Sequence, residues 1–225
     1  MSAIPEYLQL HYDWAYIRPG GVRLFERAWL VDLILWGNYR RLGDAALEAL
    51  GEELPGSTLQ IACVYGDLTS RIAARAPRGS QLDVIDILPV QLTNLRGKLP
   101  HGAPVQISLQ DSTALAEPDA SYDRALLFFL LHEQPADARA RTIAEALRVV
   151  KPGGRIVIVD FAQPRWWQPL RYLWLPLLGC IEPFAADLWS GGPETWLAPS
   201  PLIGKVERRD YFGGLYQRIV LTRAG

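Results

Sequence analysis

Between residues 57 and 162 the sequence alternates apolar segments of strand length with amphipathic segments of helix length, and this alternation restricts the fold more than any other feature. Strands that alternate with helices along a chain form a mainly parallel sheet with helices on both faces. We therefore predict a single α/β domain whose ligand binds at the carboxyl ends of the strands. The predicted strands are STLQIACVYG, SQLDVIDI, APVQISLQDST, YDRALLFFLL and GRIVIVDFA.

Both ends of the chain extend this core. Residues 1–44 are predicted to form an N-terminal cap that contains one helix over residues 22–42. A shorter helix is expected to follow, with Asp44 as its capping residue. The C-terminal end is predicted to form two strands joined by the turn at Gly213 and Gly214.

Residues 164–203 form an apolar, aromatic insertion that we expect to line the substrate site. A membrane-spanning helix needs about 20 apolar residues, and the prolines, Arg171 and Glu182 disfavour a span here. The segment fits better as a broken helix that lines an apolar pocket or lies on a bilayer surface. Ordinary core packing is the alternative. We expect a cytoplasmic protein associated peripherally with the inner membrane.

Charge and cysteine content narrow the classes of function. The formal net charge is −1 and the pI is about 6.3, so no broad field attracts nucleic acid. Cys63 and Cys180 are the only cysteines and form no CxxC pair or disulfide framework. The first residues lack the pattern of a secretory signal peptide. This composition suits a reducing compartment.

The order of elements, the segment KPGGRIVIVDF and the loop QDSTAL resemble the class I S-adenosylmethionine-dependent methyltransferases over roughly residues 45–165. The quinone and menaquinone methyltransferases are the most similar of these. The resemblance implies a Rossmann-like, mostly parallel sheet of seven strands with helices on both faces. It also implies S-adenosylmethionine as the bound cofactor or co-substrate.

The loop after the first strand departs from that family. Members typically carry an acidic residue followed by alternating glycines. Here Gln60 replaces the acidic residue, Ala62 and Val64 replace the first two glycines, and only Gly66 is retained. Tyr65 replaces the residue after the second glycine. The glycines normally allow the backbone to approach the cofactor closely. Side chains in their place are expected to reorient the methionine part of the cofactor.

The segments CVYGDLTSR, DVIDILPVQL and LLFFLLHEQP resemble the rhodoquinone-biosynthesis proteins. This resemblance implies conversion of ubiquinone to rhodoquinone, in which an amino group replaces a ring methoxy group. It further implies that S-adenosylmethionine is the amino donor and that Mn²⁺ supports the reaction.

Several residues are candidates for holding the cofactor. Asp86 ends the second strand, where an acidic residue commonly binds the ribose hydroxyls, although it could also cap the next helix. The resemblance implies that Ile87 packs on adenine and that Asp111, with Ser112 beside it, binds the adenine amino group. Asp111 could instead only form a turn. The remaining candidates are Tyr39, Val64, Tyr65, Gly66, Thr69 and Phe128; Thr69 could equally pack the following helix, and Tyr39 could be an ordinary aromatic residue at a helix end.

The candidate catalytic residues are Tyr65, His132 and Asp160. Tyr65 lies at the carboxyl end of a strand, where it could act in the chemistry or form a pocket wall. His132, Glu133 and Asp160 supply nitrogen and oxygen ligands that suit manganese, or alternatively an acid–base group. They follow the fourth and fifth predicted strands, which are close in space in such a sheet.

Three functions remain open from the sequence. The first is quinone amination with S-adenosylmethionine as amino donor. The second is ordinary methyl transfer to a quinone or another lipid, and the third is cofactor binding without catalysis. Asp86, Asp111, His132 and Asp160 argue against the third, because an inactive site has no need of them.

Overall fold

The computed structural model describes residues 4–12, 28–182, 184–189 and 193–225. In this part of the chain a seven-stranded sheet has the order β3-β2-β1-β4-β5-β7-β6. Strands β1 to β5 are parallel, whereas β7 is antiparallel to β5 and β6 is antiparallel to β7. The strands are β1 (Ser57–Ile61), β2 (Gln81–Asp86), β3 (Val105–Leu109), β4 (Tyr122–Phe128), β5 (Val150–Phe161), β6 (Ile203–Tyr211) and β7 (Tyr216–Arg223).

Helices cover both faces of the sheet, as the sequence predicts. One face packs against α3 and α4, and the other packs against α6, so that two separate apolar clusters form. The described helices are α1 (Glu6–His11), α2 (Ala28–Ile34), α3 (Tyr39–Leu50), α4 (Leu68–Ala73), α5 (Pro89–Lys98), α6 (Ala136–Val149), α7 (Leu170–Ile181), α8 (Ala186–Trp189) and α9 (Pro193–Trp196).

The central strands are buried on both faces, which explains their continuous apolar sequences. Residues 125–128 of β4 and 156–161 of β5 are all buried. Parallel strands covered on both sides by helices carry apolar residues throughout and not in alternation. The predicted hairpin at the C-terminal end is confirmed, with Gly213 and Gly214 in the turn between β6 and β7.

The prediction of one helix over residues 22–42 is wrong for the part that the structure describes, and residues 22–27 lie outside the described residues. Helix α2 ends at Ile34, and Trp36 and Gly37 both have positive φ angles, of 52° and 73°. A new helix starts at Tyr39 and continues to Leu50.

The predicted helix start at Asp44 is also wrong, because Asp44 lies inside α3 and pairs with Arg71 of α4. Asn38 takes the N-cap position instead. The sequence misleads here because a glycine often ends a helix, whereas Gly43 lies inside α3. It packs closely there, since a Cβ atom at this position would lie 3.3 Å from the Arg71 guanidinium.

The insertion over residues 164–203 contains the predicted broken helical structure. It consists of α7, which contains Pro176, and the short helices α8 and α9. Among the described residues, no helix is both long enough and apolar enough to cross a bilayer.

The connectivity creates a crevice at the carboxyl end of β1. Strand β1 lies between β2 and β4, so the chain proceeds to one side from β1 through β3 and then returns to place β4 on the other side. Ligands of open α/β sheets bind where the strand order reverses in this way.

Candidate active site

A cavity of about 280 Å³ lies at this crevice. Its walls come from the carboxyl ends of the strands and from the two extensions of the core. Helix α1 contributes Tyr7 and Leu8, and helix α2 contributes Val31 and Ile34. Glu182, which follows α7, completes the wall from the insertion. Parts of the N-terminal segment and of the insertion therefore lie in the cavity wall.

In the loop after β1, Ala62 adopts a backbone conformation that normally favours glycine. Ala62 has a φ angle of 72°, a conformation that costs about 1 kcal/mol or more for a residue with a Cβ atom. Its N–H donates to the carbonyl of Ile85 on the neighbouring strand (3.0 Å). Neighbouring contacts therefore impose this conformation on the chain.

Gln60 replaces the usual acidic residue and is completely buried. Its amide nitrogen donates to the carbonyl of Ala62 (3.0 Å), and its amide oxygen accepts from the hydroxyl of Thr69 (3.0 Å). The neutral side chain thus ties the loop to α4. Neither Gln60 nor Thr69 lines the cavity.

The second half of the loop is held from both sides. The ammonium group of Lys98 donates to the carbonyls of Val64 and Gly66, at 3.1 Å each. The hydroxyl of Tyr39 donates to the carbonyl of Tyr65. A side chain at position 66 would clash, because its Cβ atom would lie 2.9 Å from the Tyr39 hydroxyl oxygen. Gly66 is therefore retained for packing and lies outside the cavity wall.

Tyr65 lines the cavity, and its hydroxyl accepts a hydrogen bond from the amide of Gln91 on α5 (2.9 Å). Val64 lines the cavity beside it. Ala62 also lines the cavity, so side chains are present at both positions, 62 and 64, where the family is expected to carry glycine.

Asp86 lies in the cavity wall and organises two loops. Its carboxylate accepts from the backbone N–H groups of Cys63 and Leu88, at 2.8 Å each. Burial raises the pKa of Asp86 to about 6, although these hydrogen bonds act in the opposite direction. The thiol of Cys63 and the N–H of Ile87 also interact with this carboxylate.

Asp111 and Ser112 form the next part of the wall. One carboxylate oxygen of Asp111 accepts from the N–H and the hydroxyl of Thr113, at 2.8 Å each. The amide nitrogen of Gln134 donates to the hydroxyls of Ser112 (3.1 Å) and Thr142 (3.0 Å). The amide oxygen of Gln134 is buried and has no hydrogen-bond partner among the described residues.

The polar part of the wall suits a bound adenosine. Asp111, Ser112 and Gln134 lie together in the cavity wall. Their side chains include acceptors of the kind that the exocyclic amino group of adenine requires. The residues present therefore fit the cofactor that the fold implies.

The far wall of the cavity is aromatic. Phe129 has a φ angle of 52°, which is unusual for a bulky residue, and its ring meets those of Phe128 and Phe161 edge to face, with centroids 5.1 and 5.4 Å apart. The ring of His132 lies 4.8 Å from that of Phe161. An imidazole is thus presented within an otherwise apolar surface.

His132 and Asp160 form a buried pair. The imidazole Nδ1 lies 2.9 Å from one oxygen of Asp160, and the other oxygen accepts from the N–H of Leu131 at 2.8 Å. Burial lowers the pKa of His132, but the charge of Asp160 and its hydrogen bond outweigh this and raise the pKa to about 9. His132 is therefore an imidazolium at neutral pH.

The predicted manganese site does not fit this arrangement. Both oxygens of Asp160 are engaged by His132 and by backbone N–H groups, and Asp160 lies behind His132, outside the cavity wall. Glu133 is 3.8 Å from Nε2 of His132. In the part of the chain that the structure describes, no group of three His, Cys, Asp or Glu side chains could hold a metal ion. The geometry favours a charged acid–base pair.

The N-terminal helix is joined to this pair through Glu182. The hydroxyl of Tyr12 donates to the Glu182 carboxylate (2.7 Å). Burial raises the pKa of Glu182, whereas His132 and Tyr12 lower it. These contacts bring residues from opposite ends of the chain to one side of the cavity.

Most of the predicted site residues meet at the cavity. Three of them, Gly66, Thr69 and Asp160, stand behind the wall and support it. Gln91 and Lys98 were not predicted, because each acts through a contact distant in sequence. The predicted residues that line the cavity are Tyr39, Val64, Tyr65, Asp86, Ile87, Asp111, Ser112, Phe128, His132 and Glu133.

Comparison with known proteins agrees with this architecture. Residues 58–154 match the methyltransferase domain family. Over 99% of the chain, the fold resembles human N-acetylserotonin methyltransferase in complex with S-adenosylmethionine, with a TM-score of 0.65, 16% identity and 61% of that chain covered. A Bradyrhizobium japonicum N-methyltransferase with bound S-adenosylhomocysteine gives a TM-score of 0.57 at 14% identity, over 82% of this chain and 86% of that one. The protein therefore has the Rossmann-like class I methyltransferase fold.

The curated relatives include enzymes of quinone biosynthesis. The chain is 27% identical to a ubiquinone/menaquinone biosynthesis C-methyltransferase of Geobacter sulfurreducens, over 59% of this chain and 52% of the relative. It is 32% identical to a demethylmenaquinone methyltransferase of Thermus thermophilus, over 56% and 54% of the two chains. It is 29% identical to a ubiquinone/menaquinone biosynthesis C-methyltransferase of Chromobacterium violaceum, over 69% and 66%. The chain thus spans about half to two thirds of the length of these relatives.

Proposed function

We propose that the protein binds S-adenosylmethionine and catalyses transfer of a group from it to the ring of an isoprenoid quinone. The observation that carries this proposal is the His132–Asp160 pair, which places a positive charge in an aromatic wall of the cavity. Methyl transfer is the reaction that the relatives' names support, since the C-methyltransferases that the chain resembles act in ubiquinone and menaquinone biosynthesis.

The cavity wall divides into a polar part and an apolar part. In the polar part, Asp86 is assigned to the ribose hydroxyls, and Asp111 with Gln134 to the adenine amino group. When bound, S-adenosylmethionine would supply an electrophilic methyl group or, in the second candidate reaction below, its α-amine. Phe128, Phe129 and the other aromatic residues provide the surface on which a quinone ring can pack.

His132 is assigned to a ring oxygen of the quinone or quinol. Its Nδ1 is committed to Asp160, so its Nε2–H, which lies 3.8 Å from a carboxylate oxygen of Glu133, is the donor that we assign to the ligand. Charge-assisted hydrogen bonds are stronger than neutral ones, and an imidazolium stabilises negative charge that develops on a ring oxygen. Asp160 acts through His132, because it fixes the orientation of the imidazole and keeps it protonated.

Amino transfer, which would form rhodoquinone from ubiquinone, is a second candidate. It is favoured by one specific observation, namely the side chains of Ala62 and Val64 in the cavity wall. The family carries glycine at both positions, so the methionine part of the cofactor is expected to lie differently and to offer its amine. The same His132 charge would then activate the quinone carbonyl toward the amine, and the displaced methoxy group would leave as methanol. Loss of a proton from the donor's β-carbon would then break its N–Cα bond, which leaves the amino group on the ring and an unsaturated carboxylate from the donor.

Expression in two hosts, one that makes ubiquinone and one whose own quinone C-methyltransferase has been deleted, followed by mass spectrometry of the extracted quinones, tests the proposal. We expect a new quinone species with the intact protein and its loss with His132→Gln. A quinone with one added methyl group supports methyl transfer, and rhodoquinone supports amino transfer. An unchanged quinone pool with a well-expressed protein that still binds S-adenosylmethionine would leave cofactor binding without catalysis as the function.

A further inference from the structure

The exposed apolar side chains are concentrated in the two extensions of the core. In the described residues the exposed large apolar side chains are nine, and only Leu109 and Val206 belong to the sheet. The other seven lie in or beside α1, α2 and α7, and we call them together the aromatic face. They are Leu10, Trp29, Leu33, Trp36, Trp166, Trp167 and Tyr172.

Helix α2 is apolar on both sides, which is unusual for a helix at a protein surface. Val31 and Ile34 line the cavity, whereas Trp29 and Leu33, one turn apart, are 60% and 64% exposed. The acidic Asp32 does not interrupt this character, because its carboxylate accepts from the N–H of Tyr39 at the start of α3. A single helix therefore separates the apolar cavity from an apolar exterior.

The start of α7 has the same character. Trp166 is 78% exposed and Tyr172 is 73% exposed, the two largest values among the described aromatic residues that are exposed. This segment is fixed to the domain, since the amide of Gln168 donates to the carbonyl of Phe212 (3.0 Å). Leu170 packs against the same core cluster as Val31 of α2. The exposed aromatic side chains thus lie on a segment that packs against the rest of the domain.

Cationic residues accompany this face. Arg165 and Arg171 flank the two tryptophans at the start of α7, and the guanidinium of Arg171 lies 5.6 Å from the ring centre of Tyr172. Arg40 and Arg41 follow the exposed residues of α2 and are themselves exposed. Tryptophan and tyrosine beside arginine is the composition found where proteins meet lipid headgroups and the acyl boundary.

We propose that the aromatic face docks on an anionic lipid bilayer and that α1, α2 and α7 admit the isoprenoid tail of the substrate directly from it. This inference rests on the proposed function for the identity of the substrate. The occupant is assigned from charge complementarity and from continuity, because the helices that carry the exposed side chains also enclose the cavity or end at its wall.

Vesicle sedimentation tests the docking. The probes are phosphatidylcholine vesicles with and without phosphatidylglycerol, and the test variant carries Trp29→Ser, Leu33→Ser, Trp166→Ser and Tyr172→Ser. We expect the wild-type protein to bind the anionic vesicles preferentially and the variant to bind at least about tenfold more weakly. The matched control is Leu109→Ser with Val206→Ser, which removes exposed apolar side chains from the sheet and should leave binding unchanged.

Turnover of two substrates separates this inference from the proposed function. With a long-tailed quinone in vesicles the four-site variant should lose most activity, whereas with a short-tailed quinone in solution it should equal the wild type. A wild-type protein that converts the short-tailed quinone but never sediments with vesicles would overturn the docking inference alone. Vesicle binding without conversion of either quinone would overturn the proposed function alone. A wild-type dimer that the four-site variant abolishes would show that the aromatic face binds a second copy of the chain. That result would also overturn the inference.

Discussion

At the scale of single residues, two buried groups in the cavity wall, His132 and Asp86, have shifted pKa values. Asp160 raises the pKa of His132 to about 9, and burial raises the pKa of Asp86 to about 6. Each shift is tied to a contact or burial seen in the structure, so each gives an expected pH dependence.

The protonated state of His132 is expected to limit activity at high pH. Because its pKa is about 9, turnover should fall as pH rises through 9, when the imidazolium loses its proton. Asp160→Asn should shift this fall to lower pH, since the charge that stabilises the imidazolium is removed. His132→Gln should lower turnover by about 10²–10⁴-fold with little change in cofactor affinity. A pH–rate profile of the three proteins makes the measurement, and an unchanged high-pH limb in Asp160→Asn would remove the pair from the chemistry.

The same pair links stability to pH. The folded pKa of His132, about 9, lies above the unfolded value of about 6.5. The pair therefore contributes stability that is fully present below pH 6.5 and is lost as pH rises through 9. Urea unfolding of the wild type and His132→Gln across this range should show their free energies of unfolding converging at high pH. A difference independent of pH would mean that the histidine contributes only by packing.

Asp86 is expected to control cofactor affinity. Asp86→Asn should weaken binding of S-adenosylmethionine by about 10- to 100-fold, because a charged acceptor of the ribose hydroxyls is lost. In the wild type, affinity should decline as pH falls through about 6, where the carboxylate takes up a proton. Titration calorimetry measures both effects, and the exposed Asp137→Asn serves as a control. Equal affinities for wild type and Asp86→Asn would place the ribose elsewhere.

At the scale of elements, the loop between β1 and α4 distinguishes this protein from the family that it resembles. The loop has a positive φ angle at Ala62. Lys98 and Tyr39, which are distant from the loop in sequence, hydrogen-bond to its carbonyls. Gln60, which replaces the acidic residue of the family, hydrogen-bonds to the carbonyl of Ala62. Its shape therefore depends on contacts from α3, α5 and β1.

Two glycine-to-alanine substitutions measure how much packing against Tyr39 stabilises the shape of the loop. Gly66 and Gly102 have nearly equal φ angles, +76° and +78°, but a Cβ atom at position 66 would meet Tyr39, whereas one at position 102 would meet nothing within 4 Å. Gly102→Ala should cost about 1 kcal/mol of unfolding free energy from backbone strain alone. Gly66→Ala should cost more, about 2–4 kcal/mol, and should also weaken cofactor binding. Equal losses would show that Tyr39 does not support the loop.

At the scale of the whole molecule, the sheet could be predicted from the sequence but the closure of the site could not. The apolar segments and their amphipathic partners specify a parallel sheet, and the carboxyl ends of β1, β2 and β4 bring most of the predicted residues together. Sequence patterns report local periodicity, so they placed Asp86 and His132 correctly at the cavity wall.

The features that escaped prediction arise from contacts between distant segments. Tyr12 meets Glu182 across 170 positions of the chain, and no periodic pattern reports such a pair. The expected metal site does not fit for a related reason. The sequence predicts that His132 and Asp160 are near in space. It does not predict that the Asp160 carboxylate hydrogen-bonds to the imidazole and to backbone N–H groups.

The most direct test of the central claim uses S-adenosylmethionine labelled with ¹³C at the methyl group and ¹⁵N at the α-amine, incubated with the protein and a quinone and followed by mass spectrometry. The account predicts that label from the co-substrate becomes covalently attached to the quinone ring. Carbon label alone would identify methyl transfer, and nitrogen label alone would identify amino transfer. A quinone that carries neither label, from a protein shown to bind both ligands, would contradict the claim that this cavity transfers a group from S-adenosylmethionine to a quinone.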